Sequence, residues 1–398
     1  MAEARASWGR ETRVFLRAGR KTYKNFSIDR SIDIEREREM EICSEEALKY
    51  VWEGAIPLQI HLHESEVTTL PSPPPLMVLG PRIGYLPLLI PDIKPHFSST
   101  LPPGSDTVWF DYKGLPLKWY IPTGVLFDLL CAEPERPWDL TVHFRGHPGE
   151  SLVPYESEDN IKWSFINSLK EAAYIINGNC KSVMNMSQAD QYELWQSLVK
   201  GNMDSYLQVS SRLKLGPVGE DLMVRVSSSG AQPRQANTEN DFVGTNRSGR
   251  IPIRLYIRYI EEDLEDLEEA SAINSWDKIS YMNRPVEIQK DEGSLVTLKS
   301  AMESLLRGLF DDEPSIGGRE LLQKVGDGEA VSKCEDPDSE GMLCMDQSEL
   351  QEHYKTRVKL IRIQGIELDP EIPFHWVVNN LRNPEFFLHV CIFVGQLN

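Results

Sequence analysis

The stretch VWFDYKGLPLKWYIPTGVLFDLLCAEPERPWDLTVHF, Val108–Phe144, decides the fold, because its grammar recurs as KLIRIQGIELDPEIPFHWVVNNLRNPEFFLHVCIFV at Lys359–Val394. Each copy runs strand, glycine, strand, Ile-Pro, short amphipathic helix, proline and a last apolar strand. Gly114 aligns with Gly365, Ile121-Pro122 with Ile372-Pro373, and Pro137 with Pro384. An internal repeat marks one supersecondary unit used twice. Two related α+β modules therefore share one polypeptide.

The residues before each copy complete it. Ser44 reads as a helix N-cap, with Glu45 and Glu46 in the first turn and Gly54 as the stop. Ala47, Leu48, Val51 and Trp52 form its apolar face. Ile56–Leu62 opens a strand, Pro71–Pro75 is a turn or polyproline connector, and Leu76–Ile83 is the returning strand. Leu86–Phe97 keeps helical apolar spacing despite its prolines. In the second half Ile251–Arg258 alternates as a strand and Leu298–Leu306 supplies a helix. Each module thus orders two strands, a helix, two strands, a short helix and a strand. That order fits a β-grasp, the ubiquitin-like fold, among the small α+β rolls it allows.

The middle of the chain changes period. Ile161, Phe165, Leu169, Ala172, Ala173 and Ile176 follow helical spacing. A second helix starts at Ser187, with Asp190 as a capping-box variant, and buries Leu194, Trp195 and Leu198. Asn202–Leu215 is a third. The expected class is α+β, two ubiquitin-like domains flanking a helix-rich region, with an N-terminal helix. The boundaries read as an extension over 1–43, a helix over 44–54 and a first ubiquitin-like domain over 55–150. A helix-rich region follows over 155–215, then a flexible linker over 216–249. The second ubiquitin-like domain occupies 250–398 and carries an acidic, disordered insert at 311–353.

A net charge of −19 and a pI near 5.0 argue against a general nucleic-acid or anionic-membrane binder. The acid concentrates in Glu261–Glu269, read as a solvated loop or helix face, and in Asp311–Glu352, where thirteen acids face three bases. Met1–Lys24 is arginine-rich and acid-poor, like an organelle transit peptide, but the mixed-charge run Asp29–Glu41 favours a disordered extension or an upstream start before Met40. Six cysteines without framework spacing fit a reducing, cytosolic compartment. No apolar run is long enough for a membrane helix.

Catalytic signatures are few. His61-x-His63 and His143-x3-His147 lack cysteines at zinc-ligand spacing, so no metal is expected, and no cofactor motif is present. Cys131 with His143 is the one conceivable thiol nucleophile and base, as in a hydrolase of ubiquitin-like conjugates. A cysteine ending an apolar helix is more often a buried apolar residue. The chain ends directly after its last strand, at Phe393–Asn398. A conjugated ubiquitin-like donor needs a flexible tail ending in glycine, so the expectation is an acceptor or scaffold with no enzyme site of its own.

Five motifs carry a resemblance. They are Trp52-x-Gly54-x-Ile56-Pro57, Pro81-Arg82-Ile83-x-Tyr85-Leu86, Trp109-Phe110-x-Tyr112-x-Gly114-x-Pro116-Leu117-Lys118-Trp119, Leu126-Phe127-Asp128-Leu129-Leu130 and Pro137-Trp138-x-Leu140-Thr141-Val142-His143-Phe144. With them the chain closely resembles the autophagy protein 5 family in its plant form, from about Ser44 to Val394 apart from the acidic insert. The resemblance implies a noncatalytic acceptor, isopeptide-linked to the ubiquitin-like autophagy protein 12 and bound noncovalently to autophagy protein 16. It implies a cytoplasmic complex, recruited transiently to the pre-autophagosomal membrane. There it would work with the conjugating enzyme for autophagy protein 8, transferring that protein to phosphatidylethanolamine.

The family's acceptor lysine stands in a Lys-Glu-Ala motif, here Lys170-Glu171-Ala172. Lys170 follows the core position Leu169 by about 100° of helix, so its stem is held while its amine stays reachable. Attack on a thioester needs the neutral amine, and the conjugating enzyme would have to assist its deprotonation. For autophagy protein 16 the resemblance implies a groove for an amphipathic helix, with Trp52, Ile56, Arg82, Tyr85, Gln364 and Trp376 as candidate contacts. Core packing is the competing reading of Trp52, Tyr85 and Trp376. Arg82 stands out because a charged residue between apolar strands needs a partner. Lys94, Lys113 and Lys118, or partner proteins, are candidates for membrane contact.

Overall fold

The computed structural model describes residues 44–104, 107–132, 134–215, 249–261, 273–287, 296–306 and 356–396. The extension, most of the linker, the acidic insert and the acidic run beyond Glu261 lie outside the described residues.

A helix over residues 44–53 (α1) leads into β1 (Ala55–Leu62) and β2 (Leu76–Pro81), then α2 (Ile90–Phe97). The first copy of the repeat supplies β3 (Trp109–Tyr112), β4 (Leu115–Pro116), α3 (Thr123–Leu130) and β5 (Trp138–His143). The helical region holds α4 (Glu158–Asn177), the single turn α5 (Lys181–Met184), α6 (Gln188–Val199) and α7 (Met203–Ser210). The second module is β6 (Arg250–Glu261), β7 (Ile279–Glu287), α8 (Leu298–Leu305), β8 (Thr356–Ile363), β9 (Ile366–Glu367), α9 (Phe374–Leu381) and β10 (Leu388–Gln396).

The two sheets have one topology, β2-β1-β5-β3-β4 and β7-β6-β10-β8-β9. In each, a hairpin's first strand pairs in parallel with the last strand of the module, the β-grasp arrangement. The aligned glycines occupy equivalent turns. Lys113-Gly114 and Gln364-Gly365 all have positive φ, at 51°, 84°, 53° and 75°. Two consecutive positive φ values between two-residue partners match a type I′ turn, whose twist suits the flanking strands. The aligned prolines Pro122 and Pro373 are the N-caps of α3 and α9.

Helix α4 starts in a capping box at Ser157 and Asn160 and ends on Gly178 at φ 71°. Its apolar side, with Phe165 and Leu169, packs with Leu194, Trp195 and Leu198 of α6 and Tyr206 and Val209 of α7. Two cores result. One joins the helical region, α1 and one face of the second sheet. The other joins the first module to the opposite face of that sheet. Alternate β10 residues divide between them, Val390, Ile392 and Val394 into the first and Cys391 and Phe393 into the second. The second sheet is therefore covered on both faces.

Candidate functional site

The modules are joined at Arg82. It follows β2, is 2% exposed, and its Nη2 donates to the Asp128 carboxylate of α3 and to the Gly124 carbonyl at 3.5 Å. The same Asp128 Oδ2 accepts the backbone N–H of Gly365 at 2.7 Å. One carboxylate thus binds a cation of the first module and an amide of the second. Three glycines make room for Arg82, Gly124 at its backbone and Cβ, Gly54 along its stem and Gly365 at its guanidinium. A Cβ at Gly54, Gly124 or Gly365 would come within 3.0 Å of Arg82 atoms. The expected partner for Arg82 is therefore Asp128 in this chain, because burial leaves no room for one from outside.

The end of α3 is held from the other side. Arg258 Nη1 donates to the Leu129 and Leu130 carbonyls at 3.1 and 2.8 Å. Arg362 reaches the carbonyls of Asp128, Cys131 and Ala132 at 3.1, 2.9 and 2.9 Å. The last carbonyls of a helix have no partners within it, and its C-terminus attracts cations. Two buried arginines of the second module satisfy both needs.

The remaining groove candidates fall into three places. Trp52 is buried on α1, its ring centroid 4.7 Å from that of Tyr206, and Tyr85 is buried in the same core. Trp376 packs half-buried against that core. Ile56 lies in the other core with no exposed surface, so it supports the strand beneath rather than offering a surface. Gln364 is buried in the turn beside Arg82, its Nε2 donating to Leu381 O at 3.2 Å and Asn383 Oδ1 at 2.5 Å. Lys118, a candidate for membrane contact, is buried instead. Its Nζ stands 4.8 Å from the Trp276 ring centroid, and Trp276 Nε1 donates to Pro116 O at 2.8 Å. Lys94 and Lys113 are exposed.

Lys170 lies on α4, half-exposed, its Nζ 3.3 Å from Asn167 Oδ1. Glu171, the next residue, turns to the second module. Its Oε2 pairs with Arg254 Nη2 at 3.0 Å and its Oε1 accepts from Asn283 Nδ2 at 2.7 Å. The amine and its neighbouring carboxylate therefore have separate partners.

Cys131 and His143 do not form a nucleophile–base pair. Burial pushes the Cys131 thiol up to about 12. His143 Nε2 faces Asp111 Oδ2 at 2.5 Å, and its ring stacks on Trp109 with centroids 3.7 Å apart. His63 bonds Ser65 and His61 bonds Gln59. Among the described residues no group of three or more His, Cys, Asp or Glu is placed to hold a metal, and no helix is long and apolar enough to cross a membrane.

The fold and its joint define a scaffold of two ubiquitin-like modules locked together, with a helical bundle packed on the free face of the second sheet. Family models match in the same order: "Autophagy protein ATG5, UblA domain" over residues 51–144, "alpha-helical bundle region" over 158–216 and "UblB domain" over 250–392. Autophagy protein 5 of Oryza sativa subsp. indica is 54% identical over 362 residues, covering 88% of this chain and 94% of the relative. That of Arabidopsis thaliana is 54% identical over 351 residues, covering 88% and 98%. The crystal structure of Kluyveromyces marxianus Atg5 shares the fold at a TM-score of 0.54 with 17% identity, covering 87% of this chain and 99% of that one. The chain belongs to the autophagy protein 5 family, and its role lies in autophagy.

Proposed function

We propose that this protein is the noncatalytic acceptor and scaffold of the autophagy conjugation system. Lys170 takes autophagy protein 12 through an isopeptide bond, and autophagy protein 16 binds noncovalently as a helix. The complex promotes transfer of autophagy protein 8 to phosphatidylethanolamine at the pre-autophagosomal membrane, from a cytoplasmic pool. The observation that carries the reading is the setting of Lys170. Its stem leaves a rigid helix at the margin of the buried stripe, its amine is reachable, and the adjacent carboxylate is engaged elsewhere. Among the groove candidates Trp376, half-buried, offers surface to a partner helix, and buried Trp52 and Tyr85 would support that surface from beneath. Arg82 and Gln364 would act by holding the two modules together.

The test is conjugation with purified activating enzyme, conjugating enzyme and autophagy protein 12. Lys170→Arg keeps the charge and removes the primary amine. A higher-mass band with wild type and none with Lys170→Arg supports the reading. A band of equal yield with Lys170→Arg assigns the bond to another lysine and refutes it.

A further inference from the structure

Helix α4 turns Ile161, Phe165, Ile166, Leu169, Ala172 and Ala173 into the core. On the opposite side stand Trp163, Asn167, Lys170 and Tyr174. At 100° and 1.5 Å per residue these four fall within about 60° of arc and span about 16 Å of axis. Trp163 and Tyr174 are 54% and 63% exposed, large rings left in water on a helix whose other side is fully packed. Between them the Lys170 Nζ donates to Asn167 Oδ1 at 3.3 Å.

We infer that this strip is a seat for the transfer step, with Asn167 as a positioning residue for the Lys170 amine and the Trp163 and Tyr174 rings flanking the donor's C-terminal tail. The inference rests on Lys170 being the acceptor. In the transfer the neutral Nζ adds to the thioester carbonyl carbon. The C–N bond forms, the C–S bond breaks, and the enzyme thiol departs with the proton that the amine gives up. An amide oxygen accepts an N–H from the neutral amine as well as from the ammonium, so Asn167 holds the nitrogen throughout and leaves its lone pair facing outward. A carboxylate in that place would favour the ammonium. The carboxylate adjacent in sequence, Glu171, is engaged by Arg254 from β6 and Asn283 from β7.

The tail is the occupant because its place is the only one that the chemistry fixes. Its terminal carbonyl carbon must reach Nζ, and an extended chain advances about 3.3 Å per residue. Two to four tail residues therefore cover the distance from Lys170 to either ring. An exposed indole and phenol offer large contact area to an extended tail and lose little rotamer freedom doing so.

Single-turnover transfer tests this, with the full-length chain and increasing amounts of thioester-charged conjugating enzyme. Asn167→Ala is expected to lower the limiting rate about five- to tenfold, the equivalent of one hydrogen bond, with the half-saturating concentration unchanged. Trp163→Ala and Tyr174→Ala are expected to raise the half-saturating concentration about fivefold, and Trp163→Phe to restore it. Asn167→Asp should move the rate profile to higher pH, an effect that loss of helix stability does not produce. All four positions face water, so melting temperatures should stay at the wild-type value. Wild-type kinetics in Asn167→Ala, Trp163→Ala and Tyr174→Ala, with Lys170→Arg inactive, would overturn the inference and leave the acceptor reading standing. Undiminished transfer to Lys170→Arg would overturn both.

Discussion

Gly365→Ala and Gly114→Ala make a matched pair, because the repeat places both glycines at the second position of equivalent turns, at φ 75° and 84°. In each, a left-handed alanine costs about 1–2 kcal/mol. The surroundings differ. A Cβ at Gly114 meets nothing within 4 Å, whereas one at Gly365 would lie 2.9 Å from Cζ, Nη1 and Nη2 of Arg82. A flexible arginine tip would ordinarily move aside. This one is 2% exposed and bound by Asp128 and Gly124. Displacing it breaks a buried ion pair, at about 3–5 kcal/mol, and strains the Gly365 amide bond to the same carboxylate. Gly365→Ala should therefore cost about 3 kcal/mol more than Gly114→Ala, the low end of that range. Urea unfolding followed by tryptophan fluorescence measures both. In an Arg82→Ala background, where the obstruction is gone, the excess should vanish. A difference below about 0.5 kcal/mol, the usual scatter of independent substitutions, would refute the claim that Arg82 locks the modules through this turn.

Burial lowers the proton affinity of His389, against the opposing bond from Glu385, and that of His375. Both rings take up a proton less readily in the folded chain than in the unfolded chain, which protonates near pH 6.5. Stability should therefore fall as pH drops below about 6.5, and His375→Gln should reduce the fall. Melting temperatures from pH 7.5 to 5.5 check it; a flat or rising curve on acidification would contradict it. Burial also raises the thiols of Cys131, to about 12, and Cys391. A thiol reagent at pH 8 should label half-exposed Cys180 and spare those two until denaturant is added, as read by peptide mass mapping. Native labelling of Cys131 at the Cys180 rate would reopen the nucleophile reading.

The repeat made the fold legible because turns and strand order are written locally. The positive-φ glycines, the Ile-Pro helix starts and the alternating strands each need only a few neighbouring residues. The joint was hidden because its groups are far apart in sequence. Arg82, Asp128, Arg258, Arg362 and Gly365 meet only after both modules dock. Arg82 was legible as a charge needing a partner, but that partner stands on α3, far along the same module, and meets it only once that module has folded. Lys118 misled for a related reason, since its burial is created by Trp276, which approaches from the second module. One signal was available. WDLTVHF alternates polar and apolar residues, whereas FLHVCIFV is almost continuously apolar. A strand buried on both faces reads that way, and β10 feeds two cores.

That difference explains why two modules of one topology are not interchangeable. Equivalent helix ends are satisfied differently in the two copies. At the end of α9 the Leu381 carbonyl takes its bond from Gln364, within the same module. At the end of α3, five carbonyls from Asp128 to Ala132 take theirs from Arg258 and Arg362 of the other module. The first module thus presents an unfinished helix terminus and the second presents the cations that finish it. Two copies of the first module would leave the carbonyls unpaired. Two copies of the second would bury arginines without acceptors, which is the costlier fault. The Arg82–Asp128–Gly365 contact adds a second lock on the last turn of the same helix, and at its start the Gly124 amide donates to Arg82 O at 2.8 Å. The proposed acceptor role, with Lys170 on the helical region and a groove contributed by both modules, would depend on that single fixed arrangement.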